Sequence, residues 1–216
     1  MTGMIRKATV LVALGLVAAS AAMAGIPSPA NCTFPAFIKV VGTSAGVPDP
    51  RGTFTITVRD IGNFPVVGSV VTLDFVACTD TKLCNGAGVA CPIVSATTNA
   101  SGIATFTVIG GGLHTGGLVA GPGVGCVLMR ADGYILGNAT ANVYDLNGAT
   151  AGTGKNGVQI TDMPLFLNDW HGTGIPYVGR SDYNQDGFVA ITDLPKWLQL
   201  WGPLGSSGGC ATTYCP

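Results

Sequence analysis

The sequence predicts a mainly β chain, an antiparallel β-sandwich followed by a small α-helical domain. Three observations carry this expectation. The 216 residues hold 33 Gly and 13 Pro but no Glu, so all 11 acids are Asp. Favoured helix-surface residues are therefore scarce, while the two poorest helix formers are abundant. Before residue 144 several segments alternate apolar and polar side chains with period two, and after it an eleven-residue phrase occurs twice with helical period.

The missing Glu also excludes chemistry. HExxH zinc proteases, glycosidases working through a Glu pair and EF-hands closed by a bidentate Glu all require it. Formal net charge is -1, and becomes -3 without the first 24 residues, which hold Arg6 and Lys7. No basic run offers itself to phosphates, so nucleic acid is not an expected partner.

Residues 1–24 read as a signal peptide. Arg6 and Lys7 form a positive start, Ala8 to Ala19 is apolar but short for a bilayer span, and Ala22-Met23-Ala24 fits cleavage before Gly25. An uncleaved anchor is the competing expectation. No later segment has the roughly 18 uninterrupted apolar residues of a membrane helix. The expected location is therefore extracellular or at the cell surface.

Residues 25–143 read as short strands. Phe54 to Arg59 alternates as a half-buried strand should, and Val71, Leu73 and Phe75 repeat the pattern with Thr72 and Asp74 opposite. Ala104, Phe106 and Val108 do so again after Asn99-Ala100-Ser101-Gly102, whose residues tolerate the positive φ of a tight turn. Weaker runs lie at 36–41, 93–98, 125–131 and 134–143, the last two joined by Asp132-Gly133. Seven strands in about 110 residues, punctuated by turns, predict a sandwich.

The stretch FTITVRDIGNFPVVGSVVTLDF, followed by VSATTNASGIATFTV, resembles bacterial immunoglobulin-like domains of the invasin and intimin type. The resemblance implies an Ig-like sandwich over most of 32–144. The sequence departs from that family in the cysteine-bearing segment 78–91 and the Gly-rich segment 110–125, which read as a stapled loop or, alternatively, a binding edge.

All seven cysteines (Cys32, Cys78, Cys84, Cys91, Cys126, Cys210, Cys215) follow the export signal, where disulfides are favoured over metal thiolates. Cys78 with Cys84, and Cys210 with Cys215, are near enough in sequence to bridge locally. The odd count leaves one thiol free or intermolecular.

Residues 144–204 read as the helical domain, with 205–216 a cysteine-containing tail. The strongest motif is Asp182-Tyr183-Asn184-Gln185-Asp186-Gly187 with Asp193 at the twelfth place. A hard cation such as Ca²⁺ takes six to eight oxygens, which alternate loop positions can direct inward while Gly at the sixth allows the sharp turn. Asp182, Asn184 and Asp186 would supply side-chain oxygens, Phe188 its carbonyl, and Asp193 the closing carboxylate. Asp at the close is shorter than Glu, so the incoming helix must come nearer the ion.

Leu194, Trp197, Leu198 and Trp201 then fall on one helix face, with Thr192 or Asp193 as cap and Pro195 in the first turn. ITDMPLFLNDW at 160–170 matches ITDLPKWLQLW at 191–201 in six of eleven places, and Met163, Phe166, Leu167 and Trp170 make the same face. These faces are either a partner surface or core. The three Trp read as core rather than sugar platforms.

A paired, Asp-closed loop and helix resembles the dockerin family, whose DxNxDG...D pattern residues 182–193 carry in full. The resemblance implies Ca²⁺ as cofactor and a cohesin-like protein as partner. In the first copy Asp145, Asn147 and Asp162 match the first, third and last ligand places if six residues are inserted, with Asn156-Gly157 as a displaced turn. The bland alternative for the second copy, an Asx-rich solvated turn, sits poorly with the amphipathic helix that follows.

Other chemistry is thin. His114 and His171 stand in Gly-flanked stretches, and no GxSxG elbow presents a nucleophile. The expected protein is a secreted, non-catalytic module whose calcium unit docks on a cohesin-like partner or on its own sandwich. A polysaccharide- or cell-surface-binding role for the Ig-like part is the alternative, and self-assembly through the unpaired cysteine a third.

Overall fold

The computed structural model describes residues 25–44, 47–86, 89–113, 124–149, 157–170, 178–201, 209–210 and 214–215. The signal peptide, His114, His171 and Asn156 lie outside the described residues. The chain is mainly β. In order, the strands are β1 (Phe37–Val41), β2 (Thr43–Ser44), β3 (Val47–Pro48), β4 (Thr53–Thr57), β5 (Val70–Asp74), β6 (Thr81–Leu83), β7 (Val89–Ala90), β8 (Ile93–Thr97), β9 (Ile103–Gly112), β10 (Val127–Ala131) and β11 (Tyr134–Val143).

The period-two pattern does what it predicted locally. Ile56, Val71, Leu73, Ala104, Phe106, Val108, Met129 and Ala131 are all buried in one core, while alternate residues face outward. Pairing differs from the expectation of a purely antiparallel sandwich. The main sheet runs β4-β9-β1-β11-β10-β5-β8-β7, with β6 joined to β9. All its ladders are antiparallel except those of β1, which is parallel to both β9 and β11. The sheet is therefore mixed, because β1 wedges between two strands that run the same way. The Asn99–Gly102 turn, built on Asn99 Oδ1 accepting from Ser101 and Ile103 N–H, leads from β8 to β9 without pairing them. Asp132 and Gly133, both at positive φ, close a true hairpin between β10 and β11.

In their described residues, the two segments that depart from the family resemblance are part of this architecture. β9 continues into Gly110–Gly112, and β6 from the cysteine segment pairs with those glycines. A Cβ on Gly110 would stand 2.5 Å from Lys82 O, and one on Gly112 2.8 Å from the Leu146 carbonyl carbon. Bare backbone is what lets β6 and residue 146 approach β9 so closely.

The local disulfides expected from spacing do not form. Cys78 joins Cys126, Cys84 joins Cys210, and Cys91 joins Cys215. Cys78 follows β5 and Cys126 precedes β10, and these strands are sheet neighbours. The other two bridges draw the tail back onto the β6–β7 segment, where Cys215 N–H donates to Leu83 O at 2.7 Å. They close loops of sequence separation 126 and 124. Closing such a loop removes chain entropy worth about 4–5 kcal/mol in the entropic account. The second bridge adds less, because the first has already brought its cysteines together. Cys32 is a free thiol and is buried against Arg59, accepting its N–H at 3.4 Å, so the unpaired cysteine is not exposed for assembly.

Helices are short: α1 (Met163–Asp169) and α2 (Leu194–Trp197), the latter continued by a 3-10 turn over Leu198–Leu200. They gather around a second core beside that of the main sheet. Their core of Tyr144, Leu146, Val158, Phe166, Tyr183, Trp197 and Leu200 also includes Val41 of β1, whose neighbour Val40 belongs to the core of the main sheet. Successive strand residues point to opposite faces, so β1 serves both. β11 shows the same division: its alternation gives way to continuous burial over Ala139–Val143. There the 3-10 turn Gly179–Ser181 covers the outer face, with Asn142 Nδ2 donating to Gly179 O and Asp182 O. Tyr183 Oη donates to Val143 O, and Trp197 Nε1 to Tyr144 O.

A buried ion cluster ties the halves together. Arg180 donates through Nε and Nη2 to Asp169 at 2.8 and 2.7 Å, and through Nη1 to Asp80 at 3.2 Å, while Ser181 Oγ donates to Asp169. Among the described residues no helix is long and apolar enough to cross a membrane.

All three Trp lie in the helical core. Tryptophan fluorescence and far-UV circular dichroism should accordingly follow one unfolding transition in denaturant. Arg180→Ala, which strands the buried Asp169 and deprives the half-buried Asp80 of its partner, should cost about 3 kcal/mol of stability and lower the midpoint accordingly; an unchanged midpoint would show the cluster to be incidental.

Candidate metal centre

The two loops organise their carboxylates in the same way. In the second, Asp193 is fully buried, and its Oδ1 accepts from Asn184 N–H at 2.9 Å while Oδ2 accepts from Ala190 N–H at 2.8 Å. In the first, Asp162 is fully buried, its Oδ1 accepts from Leu146 and Asn147 N–H at 2.7 and 3.3 Å, and its Oδ2 from Gln159 N–H at 3.0 Å. Asn147 and Asn184 are the third positions of their loops, and Gln159 and Ala190 stand three residues before the closing Asp. Each closing carboxylate thus bridges both ends of its loop immediately before a helix begins. That is where a short Asp side chain can act, because the helix start is drawn up to it.

The opening positions correspond too. Asp182 accepts from Gln185, Asp186 and Gly187 N–H, and Gln185 and Gly187 adopt positive φ to turn those amides inward. Asp145 Oδ2 accepts from Gly157 N–H at 3.1 Å across the inserted residues, and Gly157 also has positive φ. The displaced turn expected at Asn156-Gly157 thus reaches the opening Asp through Gly157.

Asn184 Oδ1 accepts from Asp186 N–H, and Asp186 Oδ1 from Phe188 N–H. Phe188 itself is 72% exposed, leaving its backbone rather than its ring to serve the loop.

Electrostatics mark the loops as charge-strained. Burial first, and the Asp162 carboxylate second, push Asp145 up to about 7, against the opposing pull of the Gly157, Gly148 and Asn147 amides. Burial pushes Asp162 up to about 6, again against amide donors. Asp193 is raised by burial, with Asp182 adding repulsion. Asp145 Oδ1 is buried without a hydrogen-bond partner among the described residues. A buried carboxylate oxygen left in this state is costly unless a cation or proton meets it.

Among the described residues no three acidic, His or Cys side chains form a ready-made metal cluster. The first loop has two carboxylates and otherwise neutral donors, and in the second Asp186 spends its oxygens on Phe188 N–H and Asn184 Nδ2. The donor chemistry is nevertheless all oxygen, which suits Ca²⁺ rather than a softer ion. Asp182, Asn184, Asp186, the Phe188 carbonyl and Asp193 would hold it in the second loop, and Asp145, Asn147 and Asp162 in the first.

The helix faces are core. Phe166 and Trp197, at equivalent places in the two copies, stack 6.1 Å apart at 8°, and Trp197 meets Trp201 at 5.5 Å. Met163, Trp170, Leu194 and Leu198 pack against this centre, but Leu167 is 44% exposed and Leu165 packs there instead. In the second copy the 3-10 winding turns Leu200 inward as well.

Periodicity alone missed three features. Val158 and Val189, 31 residues apart, both join the core, and that offset is the repeat's own. Leu146 and Tyr183, each after an opening Asp, do the same. Asp169 stands where the second copy has Leu200, and this break in an otherwise apolar place signals the Arg180 cluster.

Because Asp145 and Asp162 have folded pKa values above the ordinary carboxylate range, the stability tied to their protonated forms is complete below about pH 4 and lost as pH rises through about 6–7. In chelator, thermal melts at about pH 8 should therefore lie below those at about pH 5, and calcium should close the gap; equal midpoints would contradict the assignment of strain to these two groups. Comparison of the chain with protein-family models, curated proteins and solved structures gives no match in any of the three.

Proposed function

We propose that this is an exported, non-catalytic module in which an immunoglobulin-like β-sandwich carries a duplicated, dockerin-like calcium unit, and that the unit docks the protein on an extracellular, cohesin-like partner. The observation that carries this is the matching amide cradle around Asp162 and Asp193, each binding the third and ninth places of its loop to the start of a helix. Three disulfides are compatible with an extracellular setting.

Bound at the loops, Ca²⁺ would offset the repulsion between converging carboxylates. Asp182 and Asp193, and likewise Asp145 and Asp162, could then remain ionised while buried. Their amide partners fix the loop backbone, and the loop backbone fixes α1 and α2 over the end of the sheet. The inner faces of these helices are spent on this chain's own core, which favours docking through what stays outside. Ile160 and Ile191, equivalent residues of the repeat, are 61% and 52% exposed, and Leu167 and Phe188 are exposed nearby in sequence.

The alternative, recognition of a polysaccharide or cell-surface target by the sandwich, draws support from Ile61, Phe64 and Val67, all exposed on the β4–β5 connection.

Calcium at a hundredfold excess over its dissociation constant should stabilise the full chain by about 3 kcal/mol per linked site. Asp182→Ala with Asp186→Ala should remove the second loop's share. Identical melting in calcium and in chelator would sink the calcium assignment. Capture of a secreted protein by the full chain only when calcium is present would support docking, whereas calcium-independent retention on a polysaccharide would support the alternative.

A further inference from the structure

The first described residues run along the β4–β5 connection. Pro27 is buried, Ser28 N–H donates to Arg59 O at 2.8 Å, and Asn31 Nδ2 donates to Asp60 O at 2.7 Å and to Ile61 O at 3.2 Å. Beside them the chain from Asp60 to Phe64 is a closed turn. Asp60 N–H donates to Phe64 O at 3.0 Å, Asn63 N–H to Asp60 O at 3.0 Å with Asn63 at positive φ, and Phe64 N–H to Asp60 Oδ1 at 2.9 Å. The last of these bonds fixes the carboxylate as well as the backbone.

The second carboxylate oxygen, Asp60 Oδ2, has no donor among the described residues. Gly25 lies against it: a Cβ there would stand 2.4 Å from Oδ2 and 2.5 Å from the Asp60 Cβ. Any side chain at residue 25 would displace the acid, so glycine is what allows the approach. By bond geometry the Gly25 nitrogen is about 2.5 Å from that Cβ position, and therefore no more than about 5 Å from Oδ2. Arg59, the nearest cation in sequence, is engaged elsewhere, donating through Nη1 to Asn63 O at 3.0 Å.

We propose that Asp60 is the acceptor for the mature N-terminus: cleavage before Gly25 creates an ion pair between the Gly25 α-ammonium and Asp60 Oδ2, which fastens the new chain end to the 60–64 turn. This rests on reading residues 1–24 as a cleaved export signal. In the chain as translated, the Gly25 nitrogen is a neutral amide. Hydrolysis breaks the Ala24–Gly25 bond, water's oxygen going to the Ala24 carbonyl carbon and its two protons to the departing nitrogen and the new carboxyl group, which passes its own on. The products are an Ala24 carboxylate and a Gly25 ammonium with three donors. Both partners of the pair are half-exposed, so it adds little stability and acts mainly by placement. What it places is the turn that carries Ile61 and Phe64 out into solvent. A chain end one residue longer would move the ammonium by about 3.8 Å and lose the fit.

The test uses the exported full chain, with its first residue identified by intact mass. Native protein and Asp60→Asn are labelled briefly with an amine-reactive acyl ester at about pH 7, and the label on Gly25 is read by mass on the N-terminal peptide. Asn keeps an oxygen for Phe64 N–H but carries no charge, so labelling of the α-amine should be faster by roughly threefold or more in the variant, with lysine labelling unchanged. The melting midpoint gives a second reading. Asp60→Asn should lower it by about 2 °C in the processed chain and leave it unmoved once the α-amine has been acetylated. A chain that begins at Gly25 but labels at equal rates, or a midpoint loss that acetylation does not remove, overturns the ion pair and leaves the export reading standing. A chain that begins at any other residue overturns both.

Discussion

The C-terminal third of the chain depends on two carboxylates that solvent does not reach. Asp162 and Asp193 are fully buried, and each is met by backbone N–H groups from both ends of its own loop. An anion held in this way is a clasp: the loop cannot open without stripping amide donors from a charge that has no water to turn to. Each clasp immediately precedes a helix, and each helix contributes one large aromatic, Phe166 or Trp197, to the centre of the second core. Helix placement, aromatic stacking and the cover over β11 are therefore consequences of where two short side chains can reach.

The two copies have diverged where they meet the rest of the molecule. One keeps an apolar residue, Leu200, in the core; the other places Asp169 at the same point and pairs it with Arg180, which also reaches Asp80 beside β6. The symmetric unit is thereby oriented, since only one of its halves can face the main sheet with a carboxylate. The sheet answers with Val41 and the doubly buried end of β11. Neither part has a complete surface without the other.

What could be read from the sequence follows from how local each determinant is. Period-two runs located seven strands, because side-chain alternation is a property of a strand by itself. Their pairing was not legible: β1 between β9 and β11 is set by contacts across some seventy to one hundred residues, and no short pattern encodes a parallel wedge. Cysteine spacing misled for the same reason, since proximity in sequence says little once Cys210 and Cys215 are carried back to β6. At the loops, Asp182, Asn184, Asp186 and Asp193 were legible as a motif, whereas the amides of Gln159 and Ala190 carry no side-chain signature. Leu167, placed by period on one face with Met163 and Phe166, is exposed while Leu165 packs inward, because a helix as short as α1 has little length over which a period can be enforced.

The pair of long disulfides has a mechanical consequence. Load applied near the C-terminus passes through Cys210 and Cys215 straight into the segment around Cys84 and Cys91. The loops and helices between them form a covalently enclosed lobe that such a pull bypasses. A protein tethered or tugged at that end would transmit force to its sheet while its helical lobe stayed slack, and a single peptide cleavage within the lobe would leave both fragments attached.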